Sequence, residues 1–218
     1  MERKAFILFI SIQLSGDTIS FSEIITIAIL AFDFVISIWD AYAGGYSLGM
    51  LKKTNDKSKF KRISAISAVG LGFVGSVYVI ATVLGFVAAW LGYISFAALE
   101  FILSFNMVFL GILIIGFGLI ITIQSIIIAA QRRNIWSILI AIYNSFALGF
   151  DIWMYISTFK ESAGIITRST RRSQGNGFAI IVIAVLLAII IVHAAYKHGY
   201  KKGMAMLPLQ KTTKNAKN

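Results

Sequence analysis

Uninterrupted apolar runs decide what this chain can fold into. The longest stretches, 63–93 and 97–130, hold only one carboxylate between them (Glu100) and no Lys or Arg. A helix needs about 20 apolar residues to cross a hydrocarbon core of about 30 Å. In lipid every backbone N–H and C=O must find its partner inside the segment or its bundle, so such runs are helices. The 218-residue chain is 58% hydrophobic and 13% charged, with a mean hydropathy of +0.85. A soluble domain carries roughly 25% charged residues, so this composition belongs to a membrane protein.

Five firm spans are expected, over 22–48, 63–93, 97–130, 135–158 and 177–196. The predicted fold class is all-α: a polytopic helical membrane protein with an N-terminal short span or interfacial helix in addition. Three regions follow: residues 1–20, a transmembrane bundle over 21–202, and a basic, disordered cytoplasmic tail over 203–218. Residues 5–14 are apolar but too short to span comfortably, and the basic residues before them leave a signal peptide open. The spans at 63–93 and 97–130 exceed the bilayer at about 1.5 Å per residue, so they tilt or project from it.

Net charge is +11. In a soluble protein that would raise nucleic acid as a partner. Here the basic residues flank spans and set orientation. Lys52, Lys53, Lys57, Lys59, Lys61 and Arg62 lie after the first span, and Arg132 and Arg133 after the third. Lys197, Lys201 and Lys202 follow the fifth. These regions share one side if all five spans cross, and the positive-inside rule makes that side cytoplasmic. The expected location is the cell membrane, with the C-terminus in the cytoplasm. The stretch 160–176, with Lys160, Arg168, Arg171 and Arg172, reads as an outer loop and conflicts with that rule. The same basic stretches suit a bilayer with anionic head groups.

Against this background the acids stand out. Asp33 lies near the middle of the first span and Asp40 two turns further on, a spacing of seven that keeps them on one face. Asp151 lies in the fourth span. An ionised Asp facing lipid at midplane costs about 2.5–3.5 kcal/mol on insertion scales. No Lys or Arg lies well inside any span to offset it. Such an acid is protonated, meets water, or holds a cation. A proton or cation pathway would use Asp33, Asp40 and Asp151, helped by Asn106 and Asn144. Asn144 and Asp151 are also seven apart, so two polar stripes could face each other. The competing reading is structural, because polar side chains bond across membrane helices at about 0.6 kcal/mol each.

Small residues form further stripes: Gly45 and Gly49 in the first span, Ala68, Gly72 and Ser76 in the second, Gly111 and Gly118 in the third. These are candidate helix-packing positions. Gly44 and Gly45 could instead break the first span, exposing carbonyls as in discontinuous transporter helices. Trp39, Trp90, Trp136 and Trp153 suit interfacial anchoring. His193 and His198 are five apart, which puts them on different helix faces and disfavours a metal site. The chain lacks Cys, phosphate-loop, zinc-protease and nucleophile-elbow signatures.

The sequence therefore predicts no enzyme, no metal and no cofactor. The leading expectation is a small channel or ion-coupled carrier working as a homo-oligomer. The alternative is a non-catalytic structural or assembly subunit of a larger membrane complex.

Overall fold

A computed structural model describes residues 21–206 of the chain, and the tail beyond them and the segment 1–20 lie outside the described residues. Five helices occupy nearly all of 21–206: α1 Phe21–Lys53, α2 Lys59–Trp90, α3 Phe96–Arg132, α4 Ile135–Arg168 and α5 Arg171–Ala205. All five carry windows long and apolar enough to span a membrane. The protein is thus an all-α polytopic membrane fold.

The turns between helices are set by local chemistry. After α1, the Asp56 N–H bonds to the Leu51 carbonyl and the Asn55 N–H to the Lys52 carbonyl, with Asn55 at φ 51°. That is a Schellman closure with Asn in the left-handed position. The same pair of bonds recurs after α2 from Tyr93 and Gly92, and Gly92 has φ +75°. Each following helix is N-capped. The side-chain oxygens of Ser58, Ser95, Asn134 and Thr170 accept from the backbone N–H groups of Lys61, Ala98, Ser137 and Ser173. These caps satisfy donors that would otherwise be orphaned at a helix start.

Packing divides the bundle unevenly. Helices α1, α2 and α5 form a three-helix unit. The second part of α3 lies against α2 and pairs with α4, while its first turns fill the space beside α5. Ala81 of α2, Phe101 and Ile102 of α3, and Ile180, Ile181 and Ala184 of α5 make the apolar core. Helices α1 and α4 are not packing neighbours, nor are α4 and α5. Large apolar side chains such as Ile142, Phe146, Ile156 and Ile190 are exposed. On a membrane span that surface meets lipid, so its exposure carries no hydrophobic cost.

The small residues explain the tightest contacts. A Cβ on Gly45 or Gly49 would strike the carbonyls of Tyr196 and Tyr200. Reciprocally, one on Gly199 or Gly203 would strike those of Tyr42 and Tyr46. Two Gly-x-x-x-Gly pairs thus interlock along parallel helices α1 and α5, backbone against backbone. Gly72 of α2 meets Ser37 and Ala41 of α1, and Gly44 of α1 meets Ala65 and Val69 of α2. Gly111 lies under the Tyr155 ring, and Gly118 leaves ordinary contact room for Leu148. Ser76 is fully buried and Ala68 half-buried.

Three expectations need correction. The stretch 160–176 is not a loop: α4 runs to Arg168 and α5 starts at Arg171, leaving only Ser169 and Thr170 between them. Polar residues continue the helices once these leave the hydrocarbon, at about 1.5 Å per residue over more than 30 residues each. Gly44 and Gly45 do not break α1, which is continuous through both. Their missing side chains are used for close helix approach instead. At the far end, α5 continues to Ala205, so the start of the expected tail at 203–205 is helical.

Candidate functional site

The irregular backbone in this bundle lies in α3, not α1. Residues Asn106–Leu110 form one π turn, closed by the Gly111 N–H bonding five residues back to the Asn106 carbonyl. A π turn inserts an extra residue into the helix and is frequent at functional sites. Asn106 is fully buried there. Its amide donates to the Tyr78 carbonyl (3.4 Å) and to the Thr82 hydroxyl (3.3 Å) of α2. Its Oδ1 is buried with no hydrogen-bond partner among the described residues. On the other side of the π turn, the Tyr155 hydroxyl of α4 donates to the Val108 carbonyl (3.5 Å). The π turn therefore joins α2 to α4 through polar groups.

The acids stand on α1 and α4. Asp151 lies one turn before Tyr155 on α4 and is half-buried. Asp33 is exposed on α1 and Asp40 is half-buried. Asp33 and Asp151 stand on different helices, α1 and α4. Tyr78 stands on the α2 turn that Asn106 anchors. Tyr143 lies about two turns before Asp151 on α4 and is exposed. None of these three carboxylates forms an ion pair or side-chain hydrogen bond with another described residue. The Ser37 hydroxyl beside Asp33 bonds only the Asp33 backbone carbonyl (2.8 Å).

The arrangement differs from two facing stripes. Because α1 and α4 are not packed together, Asp33 and Asp40 do not bury themselves against Asn144 and Asp151. Asp33 and Tyr143 are exposed instead, while Asp40 and Asp151 are half-buried. Asn106 belongs to the α2–α3 seam. Asn144 belongs to the α3–α4 seam, where its carbonyl accepts from the Thr122 hydroxyl (3.2 Å). Asn106 thus bonds across helices through its side chain, whereas Asn144 takes part only through its backbone carbonyl.

Sequence reading missed Tyr78, Tyr143, Thr82 and Tyr155. A signal was present for one of them: Tyr favours membrane interfaces, yet Tyr78 falls deep inside α2. His193 and His198 are both exposed, and His198 tilts against the Tyr42 ring at 5.9 Å.

The fold defines a five-span helical membrane protein, and Asp33, Asp40 and Asp151 within its spans have no side-chain partner among the described residues. No protein-family model, curated protein or solved structure matches the chain.

Proposed function

We propose that this protein is a small channel or ion-coupled carrier for a proton or cation. Asp33 is its central site, and Asp40 and Asp151 are its neighbours on the path. One observation carries the reading. Two carboxylates stand within different apolar helices, Asp33 on α1 and Asp151 on α4, and neither pairs with a described cation. An ionised acid in an apolar span is unfavourable by desolvation. Binding a proton or a cation removes that penalty, and releasing it restores it. Such a site loads and unloads when access changes. On this reading the chain is not an enzyme. It works as a homo-oligomer in the cell membrane, with its C-terminus in the cytoplasm.

Flux measurement in proteoliposomes tests it. The wild type should carry protons or monovalent cations, and Asp33→Asn should reduce the flux at least tenfold. Unchanged flux in that variant removes Asp33 from the mechanism.

A second reading is a non-catalytic subunit of a larger membrane complex. The exposure of Asp33 favours it, since a cation on a partner helix could pair there. The interlocking of Gly45 and Gly49 with α5 weighs against it, because that stripe is already used inside the chain. Purification from native membrane in mild detergent separates the two: a defined heteromer supports the subunit, a homomer supports the carrier.

A further inference from the structure

At the end of the bundle where α1 turns into α2, a cavity of about 300 Å³ opens against α5. Lys52, Lys57 and Arg62 line one side of it, and Leu48, Tyr196 and Tyr200 another. The turn that carries these cations is held by the Schellman bonds from Asn55 and Asp56, so the site stands on ordered backbone. The Lys52 ammonium lies over the Tyr200 ring, 5.9 Å from its centroid. Asp56 also borders the cavity, but its carboxylate is already engaged. It accepts from the Ser58 N–H (2.9 Å) and pairs with the Lys61 ammonium (2.8 Å). Those two partners hold its carboxyl below the usual carboxylate range. Among the described residues, Lys52, Lys57 and Arg62 have no acid of their own.

The local field strengthens the excess. Helix α2 begins at Lys59 with no acidic residue in its first turn. The positive end of its dipole therefore adds to Lys59, Lys61 and Arg62 instead of being offset. The Leu51 and Lys52 carbonyls at the end of α1, which would repel an anion, are occupied by the turn's own N–H groups. A site with several free cations, a helix start and an aromatic wall is built for a phosphate group. The leucine and tyrosine side decides its source. Apolar and amphipathic side chains beside a cationic pocket, at the end of membrane-spanning helices, fit a glycerophospholipid rather than a free anion.

We propose that this cavity binds the head-group phosphate of an anionic phospholipid, with Lys52, Lys57 and Arg62 on the phosphate and Leu48, Tyr196 and Tyr200 against the glycerol and upper acyl chain. The site is separate from the acidic cluster and stands without it.

The test uses the full chain reconstituted in phosphatidylcholine with a minor fraction of phosphatidylglycerol. The protein is then extracted in mild detergent, and retained lipid is counted by native mass spectrometry. Wild type should retain phosphatidylglycerol selectively. The triple variant Lys52→Gln, Lys57→Gln, Arg62→Gln should bind it roughly a hundredfold more weakly, taking about fivefold per cation near an anionic surface. A control with equal charge loss outside the cavity, Lys197→Gln, Lys201→Gln, Lys202→Gln, should retain it. All six residues are exposed, and unchanged thermal unfolding of each variant confirms folding. Equal loss in both variants, or retention in the cavity variant, overturns the proposal. Displacement of the lipid by inorganic phosphate at constant ionic strength would overturn the lipid source and assign the pocket to a soluble phosphate.

Discussion

Replacing Gly199 by Ala puts one methyl group where α5 touches α1. Its carbon would meet the Tyr42 carbonyl oxygen, with the Tyr42 carbonyl carbon and the Tyr46 nitrogen each at 3.0 Å. All three are backbone atoms, so no side chain can swing aside. The two helices must separate by roughly 1 Å to restore van der Waals distance, and a gap of that size forfeits a quarter to a half of each dispersion contact it opens. The loss spreads, because Gly45, Gly49 and Gly203 sit in the same seam. Over-packing costs typically about 1–3 kcal/mol. Alanine returns up to about 1 kcal/mol in helix propensity. The net is a destabilisation of up to about 2 kcal/mol, which for a chain of this size lowers Tm by roughly 2–4 °C per kcal/mol. Gly164→Ala is the matched control, since a Cβ there meets nothing within 4 Å. It should be neutral or stabilising. Thermal unfolding in one detergent compares the two. A Gly199→Ala protein as stable as Gly164→Ala would refute the close α1–α5 contact and the reasoning built on it.

Other outcomes follow from single features. Asn106→Leu removes two interhelical hydrogen bonds to α2 along with a buried oxygen that lacks a partner. At about 0.6 kcal/mol per such bond the loss should be near 1 kcal/mol in a denaturant titration, and a loss several times larger would mean that the π turn itself depends on Asn106. The Asp56 carboxyl is lowered by the Lys61 ammonium and the Ser58 N–H, so its contribution to stability is present above the ordinary value of 3.8 and is lost as pH falls through its folded value. The Tm gap between wild type and Asp56→Asn should therefore close in acid, and a gap that persists at the lowest pH contradicts the ion pair. With no native Cys in the chain, single-cysteine labelling gives the topology directly: Lys57→Cys and Lys201→Cys should react from one side, and Arg172→Cys from the other. Labelling of Lys57→Cys and Lys201→Cys from opposite sides would remove one of the five crossings.

The number of helices and their rough limits were legible because lipid imposes them. A backbone without water must close its own hydrogen bonds, and the length of an apolar run measures whether it can cross. The acids were legible for the same reason: in an apolar span an Asp is conspicuous wherever it points. Boundaries were less so. Nothing in KESAGIITRSTRRSQGN distinguishes a polar loop from two helix ends that leave the bilayer, and the structure chose the helix ends.

What the residues alone determined, then, was a membrane-spanning helical chain with acids out of place in it. Tertiary structure decided which faces meet. The spans are apolar all round, so periodicity does not mark a buried side as it does in a soluble helix, and lipid is as good a neighbour for Leu as another helix is. Only the three-dimensional packing could pair Gly45 and Gly49 with Gly199 and Gly203. The same packing wound an extra residue into α3 at Asn106 and bonded that side chain to the Tyr78 carbonyl and the Thr82 hydroxyl of α2.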